Sequence, residues 1–238
     1  MPHSSTYRMR VKENIRITAS DCRDRVTKLT LEPVLGRLAS FIPGQFVSIG
    51  LPGVNDPAPG YFAMASAPHS PEYFEFFIKD AGALSAYLCD VEPGTQLEVE
   101  GPMGKGFDLA PFKGNDVYLI GVGTGIAPLH SICLDIVQHR ADFGKVVIYG
   151  GFLTELHQLL TDELDELAQH DIEVSISLEM GHENWDGPIG YVQQALLDDG
   201  IDGTHAVACL AGMSAMVDAC TETLQNLGFD DHRILLNH

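Results

Sequence analysis

Long apolar runs are missing from this chain. None of its 238 residues lies in a stretch approaching the roughly 18 apolar residues that a membrane-spanning helix needs. The opening, MPHSSTYRMRVKENIRIT, also lacks the apolar centre of a secretory signal. With 45% hydrophobic and 20% charged residues, the composition is that of an ordinary globular protein. We therefore expect a soluble intracellular protein, located in the cytoplasm.

The cysteines lack the spacing of the usual metal centres. The chain has no Cys-x-x-Cys pair, the spacing from which zinc and iron–sulfur ligands ordinarily come. The ten histidines are scattered and form neither a metal-ligand pattern nor a Ser/His/Asp arrangement. We predict no metal and no catalytic side chain, and we expect the cysteines to be reduced core or surface residues. The five cysteines are Cys22, Cys89, Cys133, Cys209 and Cys220.

Basic residues are few, with 14 lysines and arginines against 33 acidic residues and a net charge of −19. The imbalance is uneven, because residues 1–37 hold eight basic and four acidic side chains. An acidic surface of this kind repels nucleic acid and anionic membranes, so neither is expected as a partner. The acidity is explained by solubility or by adaptation to salt. The basic N-terminal segment is also suited to lie near a bound phosphate or an acidic partner.

From about residue 8 to residue 107, apolar and polar residues alternate with a period of two. Turn-forming segments such as PGVNDPAPG and PHSPE separate the runs. Several short strands at this spacing predict an antiparallel barrel. One helix, ALSAYLCDV, is expected just after Gly82.

After FKGND the pattern changes to strands that alternate with helices. DVYLIGVG is typical of a buried strand, and APLHSICLDIVQHRA of a helix with Pro128 in its first turn. Three further strand–helix pairs follow, which predicts a doubly wound parallel sheet. The predicted domains are therefore an antiparallel barrel at residues 1–112 and an α/β domain at residues 113–238.

The segment GVGTGIAP, residues 121–128, joins the first predicted strand of the α/β domain to its helix. Its glycines let the backbone turn tightly, and the helix that follows presents free N–H groups to a phosphate. The spacing is not G-x-G-x-x-G, because position 126 is isoleucine. By itself this turn fits either a dinucleotide site or a turn made only for packing.

Several segments, in order along the chain, together resemble the ferredoxin–NADP reductase and flavin reductase family. They are PGQFVSI, FEFFIKDAG, GALS, GPMGKGF, GTGIAP, WDGPIGYV and AGMSAM. The segments FAMAS and RILLNH look closest to a branch similar to the plant fruit protein pKIWI502. The resemblance implies a flavin-binding barrel, FAD or FMN as cofactor, and a second domain that presents NADH or NADPH to the flavin.

In that family the flavin strand reads Arg-x-Tyr/Phe-Ser-x-x-Ser. Here Gly60 stands in place of the arginine that holds the flavin phosphate, and Ala63 in place of the serine beside the ring. The resemblance implies that the C-terminal His238 covers the ring, unless it is a frayed tail. The implied flavin-binding residues are Phe62, Ala63, Met64, Ala65, Ser66, Ile78, Lys79, Gly82, Ala83, Leu84, Ser85 and His238.

The resemblance also implies a nicotinamide site. Ala211 stands where many relatives have a cysteine. The segment 149–160 has no arginine or lysine, Phe152 replaces a frequent arginine, and Glu155 adds negative charge. NADH is therefore favoured over NADPH, whose 2′-phosphate needs cations. The implied NAD(P)-binding residues are Gly123, Thr124, Gly125, Ile126, Ala127, Pro128, Gly150, Gly151, Gly212, Met213 and Met216.

These features predict a flavin-dependent oxidoreductase that passes a hydride from NAD(P)H to FAD or FMN and then electrons to an acceptor protein or to free flavin. The replacements at Gly60, Ala63 and Ala211 keep a second hypothesis open, a nucleotide- or partner-binding module without turnover. A third hypothesis is an electron-transfer subunit of a larger complex.

Overall fold

The computed structural model describes residues 5–70 and 72–236 and contains two β-sheets. The first sheet has the strands β1 (Ser5–Arg16), β2 (Val26–Pro33), β3 (Phe46–Gly50), β4 (Gly60–Ala63), β5 (Phe74–Lys79) and β6 (Gln96–Met103). Their order is β4-β3-β6-β1-β2-β5, and every neighbouring pair is antiparallel. A helix, α1 (Ala83–Asp90), connects β5 to β6.

The two edges of this sheet approach each other, which nearly closes it into a barrel. Ala65, just beyond β4, donates its backbone N–H to the carbonyl oxygen of Glu75 in β5 at 2.8 Å. The N–H of Glu75 in turn donates to the hydroxyl of Ser66 at 3.2 Å. Alternate side chains such as Leu29 and Phe76 are fully buried inside. The predicted antiparallel barrel is confirmed.

Helix α1 lies against the barrel and is held at its C-terminal end by one side chain of β1. The amide of Asn14 donates to the carbonyl oxygens of Leu88 and Val91, each at 3.0 Å. These carbonyls belong to the end of a helix, where backbone acceptors lack partners within the helix. Asn14 thereby fixes α1, and with it the first turn of the helix at the opposite end.

The second sheet is parallel and has the strands β7 (Asp116–Val122), β8 (Val146–Phe152), β9 (Glu173–Leu178), β10 (Ala206–Ala211) and β11 (Ile234–Leu236). Their order is β11-β10-β7-β8-β9. The helices between them are α2 (Ile126–Gln138), α3 (Thr161–Ala168), α4 (Val192–Asp198) and α5 (Ser214–Asn226).

Helices cover both faces of the parallel sheet because successive strand residues point to opposite sides. Leu119 of β7 belongs to the buried cluster that includes Leu129 of α2. Its neighbour Ile120 belongs to a separate cluster with Leu196 of α4. The predicted doubly wound α/β arrangement is confirmed.

The barrel and the α/β part share buried apolar contacts. Val26 and Phe77 of the barrel lie in the same cluster as Ile126 of α2. The division predicted at residues 112 and 113 falls between β6 and β7, and it stays a prediction. No helix in the described part of the chain combines the length and the apolar character that crossing a membrane demands.

Candidate cofactor-binding site

A cleft of about 540 Å³, here called the barrel cleft, lies where β4, the end of β5 and the first turn of α1 meet. Six of the predicted flavin residues line it, namely Phe62, Lys79, Gly82, Ala83, Leu84 and Ser85. The other lining residues are Pro57, Ala58, Gly60, Tyr61, Phe77, Ala81 and Thr124. Because Thr124 comes from the turn after β7, the cleft lies where the two parts of the chain meet.

The first turn of α1 gives the barrel cleft its anion-binding capacity. Its backbone N–H groups have no helical acceptor, so they can donate to a phosphate. The hydroxyl of Ser85 is already used within the turn. It accepts from the N–H of Ala81 at 3.0 Å and donates to the carbonyl of Gly82 at 3.1 Å. The backbone of this turn, rather than the Ser85 hydroxyl, is therefore suited to an anion.

Gly60 is packed against apolar groups at the position where the family has an arginine. A Cβ placed on Gly60 would lie 2.9 Å from Leu84 Cδ2 and 3.1 Å from Phe62 Cε2. Among the described residues that line the barrel cleft, Lys79 supplies the charge. Its ammonium group pairs with the carboxylate of Asp24 at 2.6 Å, and this hydrogen bond lowers the pKa of Asp24.

Four predicted flavin residues have side chains in the protein interior. Met64, Ala65, Ser66 and Ile78 are fully buried, and Met64 and Ile78 belong to the barrel core. The N–H of Met64 donates to the carbonyl of Gln45 at 3.2 Å, and that of Ala65 to Glu75 as described above. These backbone donors are thus used inside the barrel. Ala63, also predicted, is half-buried in β4.

A second cleft, of about 340 Å³ and here called the sheet cleft, lies at the carboxyl edge of the parallel sheet. Gly123, Thr124, Gly151 and Met213 line it, and all four are predicted NAD(P) residues. The other lining residues are Thr18, Asp24, Val26, Lys79, Val122, Phe152, Leu153, His157, Leu159 and Glu179. Lys79 and Thr124 line both clefts, so the two adjoin at these side chains.

The remaining predicted NAD(P) residues are not among those that line the sheet cleft. Ile126, Ala127 and Pro128 are buried in the first turn of α2. Gly150 is buried in β8, where a Cβ would lie 2.8 Å from Ile176 Cδ1. Gly212 and Gly125 are adjacent, since a Cβ on Gly125 would lie 2.9 Å from Gly212 Cα. Met216 is buried, and its terminal methyl group packs at Gly212.

Comparison with known proteins identifies the family. The model for an oxidoreductase NAD-binding domain matches residues 119–222. Ferredoxin–NADP reductase B of Sorangium cellulosum is 31% identical over an alignment that covers 71% of this chain and 70% of that protein. The chain belongs to the ferredoxin–NADP reductase family.

Other similar proteins extend the match to nearly the whole chain. The gamma subunit of sulfhydrogenase 1 from Pyrococcus furiosus is 26% identical over 99% of this chain and 81% of its own length. The cytochrome P450 reductase GcoB of Amycolatopsis has the same fold, with a TM-score of 0.86 and 22% identity over 98% of this chain and 69% of that structure. The chain spans about half the length of some curated relatives, 44% and 58% for cytochrome b5 reductases of Debaryomyces hansenii and Dictyostelium discoideum.

Membership of the ferredoxin–NADP reductase family confirms the predicted class, a flavin-dependent NAD(P)H oxidoreductase, together with FAD and a nicotinamide dinucleotide as its cofactors. The likeness to the pKIWI502 branch stays a prediction. So do the roles of the individual site residues. His238 lies outside the described residues; the last described strand residue, Leu236, pairs with Leu210 of β10.

Sequence reasoning missed the barrel residues that line the sheet cleft. Thr18, Asp24 and Val26 lie about 100 residues before the glycine turn that they face. No local pattern marks them, because their position depends on how the barrel packs against α2. Tyr61 and Phe77 of the barrel cleft had a signal, since Tyr61 lies two residues before the predicted Ala63 and Phe77 two residues before the predicted Lys79. Residues two apart on a strand share a face.

Proposed function

We propose that this family member is an NADH-preferring flavin oxidoreductase that holds its flavin loosely and passes electrons to an acceptor protein or to released flavin. The observation that carries the proposal is that the barrel cleft and the sheet cleft adjoin at Thr124 and Lys79. Two cofactors that exchange a hydride must meet in this way, with their reacting atoms in contact.

The barrel cleft has groups suited to both ends of a flavin. The half-buried ring of Phe62 offers a flat apolar wall, and the free N–H groups at Ala83 and Leu84 offer donors to a phosphate. A bound flavin supplies the hydride acceptor, so the protein needs mainly to bind, orient and shield the cofactors. No side chain is assigned a role as general acid or base.

Loose binding of the flavin is inferred from Gly60 and Ala63. A lost arginine–phosphate contact costs about 1.5–3 kcal/mol, and a lost neutral hydrogen bond about 1 kcal/mol. Together these losses weaken binding roughly a hundredfold to a thousandfold. Lys79 offers limited compensation, because it is shared with Asp24.

The preference for NADH is supported by charges at the carboxyl edge of the parallel sheet. Glu179 lines the sheet cleft, and Glu155, just after β8, pairs with His182 at 2.6 Å. A 2′-phosphate near these carboxylates would be repelled. Phe152 lines the sheet cleft and is otherwise buried in the core, so it adds no charge there and the argument depends on the acidic residues.

One observation favours the alternative of a binding module without turnover. Leu84 and Phe62 fill the space beside Gly60, and the N–H groups of Met64 and Ala65 are used within the barrel. A flavin would then find fewer partners than in other members of the family. A cytoplasmic location also remains a proposal, supported by five free, buried cysteines.

The test is a titration of the purified chain with FAD and with FMN, followed by flavin fluorescence. NADH or NADPH is then added anaerobically while the flavin absorbance is recorded. We expect saturable flavin binding, with faster bleaching by NADH than by NADPH. Failure of both flavins to bind at high micromolar concentration would support the binding module. Equal rates with the two nucleotides would overturn only the NADH preference.

A further inference from the structure

Two consecutive residues of α2 are hydrogen-bonded to the chain segment that continues β4. His130 Nδ1 lies 2.9 Å from the carbonyl oxygen of Ala65. The hydroxyl of Ser131 donates to the carbonyl oxygen of Ser66 at 2.7 Å. Both bonds join parts of the chain that are 65 residues apart. They connect the strand of the barrel cleft to the helix of the sheet cleft.

Both bonds are shielded from water. Ser131 and Ser66 are fully buried, and His130 is 7% exposed. Burial lowers the pKa of His130, although the bond to Ala65 acts in the opposite direction. The ring is therefore neutral at physiological pH. Because a carbonyl can only accept, Nδ1 must carry the proton that is donated to Ala65.

The spacing along the chain connects these bonds to both clefts. His130 lies five residues after Gly125, on the helix that begins directly after the glycine turn. Ala65 lies three residues after Phe62, which lines the barrel cleft. The ring of Phe77, another residue of that cleft, lies 6.0 Å from the His130 ring, centroid to centroid. Each hydrogen bond is therefore separated from a cleft by only a few residues of helix or strand.

Other contacts between the two parts of the chain lie farther from the clefts or nearer to solvent. His69 pairs with Asp135 at 3.2 Å, and the side chain of His69 is 55% exposed. Lys28 pairs with Glu163 of α3 at 2.8 Å, on the partly exposed surface of β2. Neither pair lines the barrel cleft or the sheet cleft. The bonds of His130 and Ser131, in contrast, are buried between the helix that follows the glycine turn and the segment that continues β4.

We propose that His130 and Ser131 are positioning residues for hydride transfer. Their hydrogen bonds to Ala65 and Ser66 fix the distance between the glycine turn, which would hold the dinucleotide, and the strand that would hold the flavin ring. Neither residue touches a cofactor, so they act on the rate of the transfer and not on the affinity of either cofactor. This inference rests on the proposed function.

The test compares variants that remove or retain each donor. His130→Leu and Ser131→Ala remove the donors, while His130→Asn retains an N–H near the position of Nδ1. Ile136→Ala is the matched control, because it removes buried volume from the same helix and removes no side-chain hydrogen bond. Single-turnover reduction of bound flavin by NADH is measured by stopped flow, and the dissociation constants of flavin and NADH are measured separately.

We expect the His130→Leu, Ser131→Ala double variant to lose about tenfold or more in the rate of hydride transfer, since small misalignments are costly. Both dissociation constants should change little, and His130→Asn should recover much of the loss. ¹⁵N NMR of labelled histidine, in protein without added nucleotide, should show a slowly exchanging proton on Nδ1 of His130.

Several results would overturn the inference. One is a double variant that transfers hydride at the rate of the wild type, and another is an equal loss in Ile136→Ala at matched stability. A proton on Nε2 rather than Nδ1 would remove the His130 bond. If the wild type binds flavin and never oxidises NADH, the proposed function fails, and the positioning role fails with it. Normal turnover in both wild type and variants overturns the positioning role alone.

Discussion

The two glycines that flank Thr124 are required for different physical reasons. Gly123 has a φ of +52°, the left-handed region, and no atom of the described residues lies within 4 Å of a Cβ placed there. Gly125 has an ordinary φ of −61°. A Cβ on Gly125 would clash with the backbone of Ala211, at 2.8 Å from its carbonyl carbon. The first glycine serves backbone conformation, and the second allows close packing.

Substitutions at these glycines should therefore differ in their effects. Gly123→Asn should cost about 1 kcal/mol of unfolding free energy or less, because asparagine tolerates the left-handed region. Gly125→Ala should cost about 1–3 kcal/mol, because the backbone of β10 would have to move. Urea unfolding measures both values. A Gly125→Ala variant as stable as the wild type would contradict the packing argument.

At the scale of elements, the contact between β4 and α1 decides how the barrel cleft can hold a phosphate. Leu84 is the second residue of α1, and its Cδ2 occupies the space beside Gly60 of β4. A side chain at position 60 requires this methyl group to move or to be removed, and the Phe62 ring to yield slightly. Shortening Leu84 therefore favours restoring the family's arginine.

The double variant Gly60→Arg, Leu84→Val should bind FAD or FMN at least about tenfold more tightly than Leu84→Val alone, as expected for a regained arginine–phosphate bond. Valine lacks the obstructing δ carbon and keeps most of the buried area. Gly60→Met, Leu84→Val is the uncharged control. If the methionine control gains as much flavin affinity, the effect is due to packing and not to charge. If neither double variant binds flavin more tightly, the proposed position of the phosphate is wrong.

At the scale of the whole molecule, the barrel and the α/β part are also joined by the ion pair of Lys28 and Glu163. Burial favours the neutral form of Glu163, but the hydrogen bond from Lys28, a backbone hydrogen bond and the positive charge of Lys28 together outweigh it, so the pKa of Glu163 is lowered from 4.5. Likewise burial opposes the charge on Lys28, but the bond to Glu163 and the negative charges of Glu163, Glu75 and Glu13 together raise its pKa from 10.5. The pair therefore stabilises the fold between these two pKa values.

Glu163→Gln should reduce the free energy of unfolding by about 0.5–1 kcal/mol at pH 7, a small value because the pair is partly exposed. The difference from the wild type should shrink as the pH falls through the lowered pKa of Glu163, where the wild-type carboxylate becomes protonated. Urea unfolding between pH 7 and pH 3, at low salt, measures this dependence. A difference that is constant over the whole range would contradict the assignment.

Local patterns predicted those parts of the site that one segment can form alone. The glycine turn from 123 to 125 and the first turn of α1 were predicted at the positions where the structure has them. Met64 and Ile78 were assigned to the flavin by resemblance, yet their side chains lie in the barrel core. A strand directs alternate residues to opposite sides, and only its packing partners decide which side faces a cofactor.

The sequence by itself determined the two-part fold and the glycine turn, because periodicity and turn chemistry act over a few residues. It indicated the family through the resemblance of several motifs taken in order. The tertiary structure alone decided that Thr124 and Lys79 adjoin both clefts, and that His130 reaches Ala65. These contacts join segments tens of residues apart. Their existence depends on how two buried surfaces fit together, which no local pattern of residues encodes.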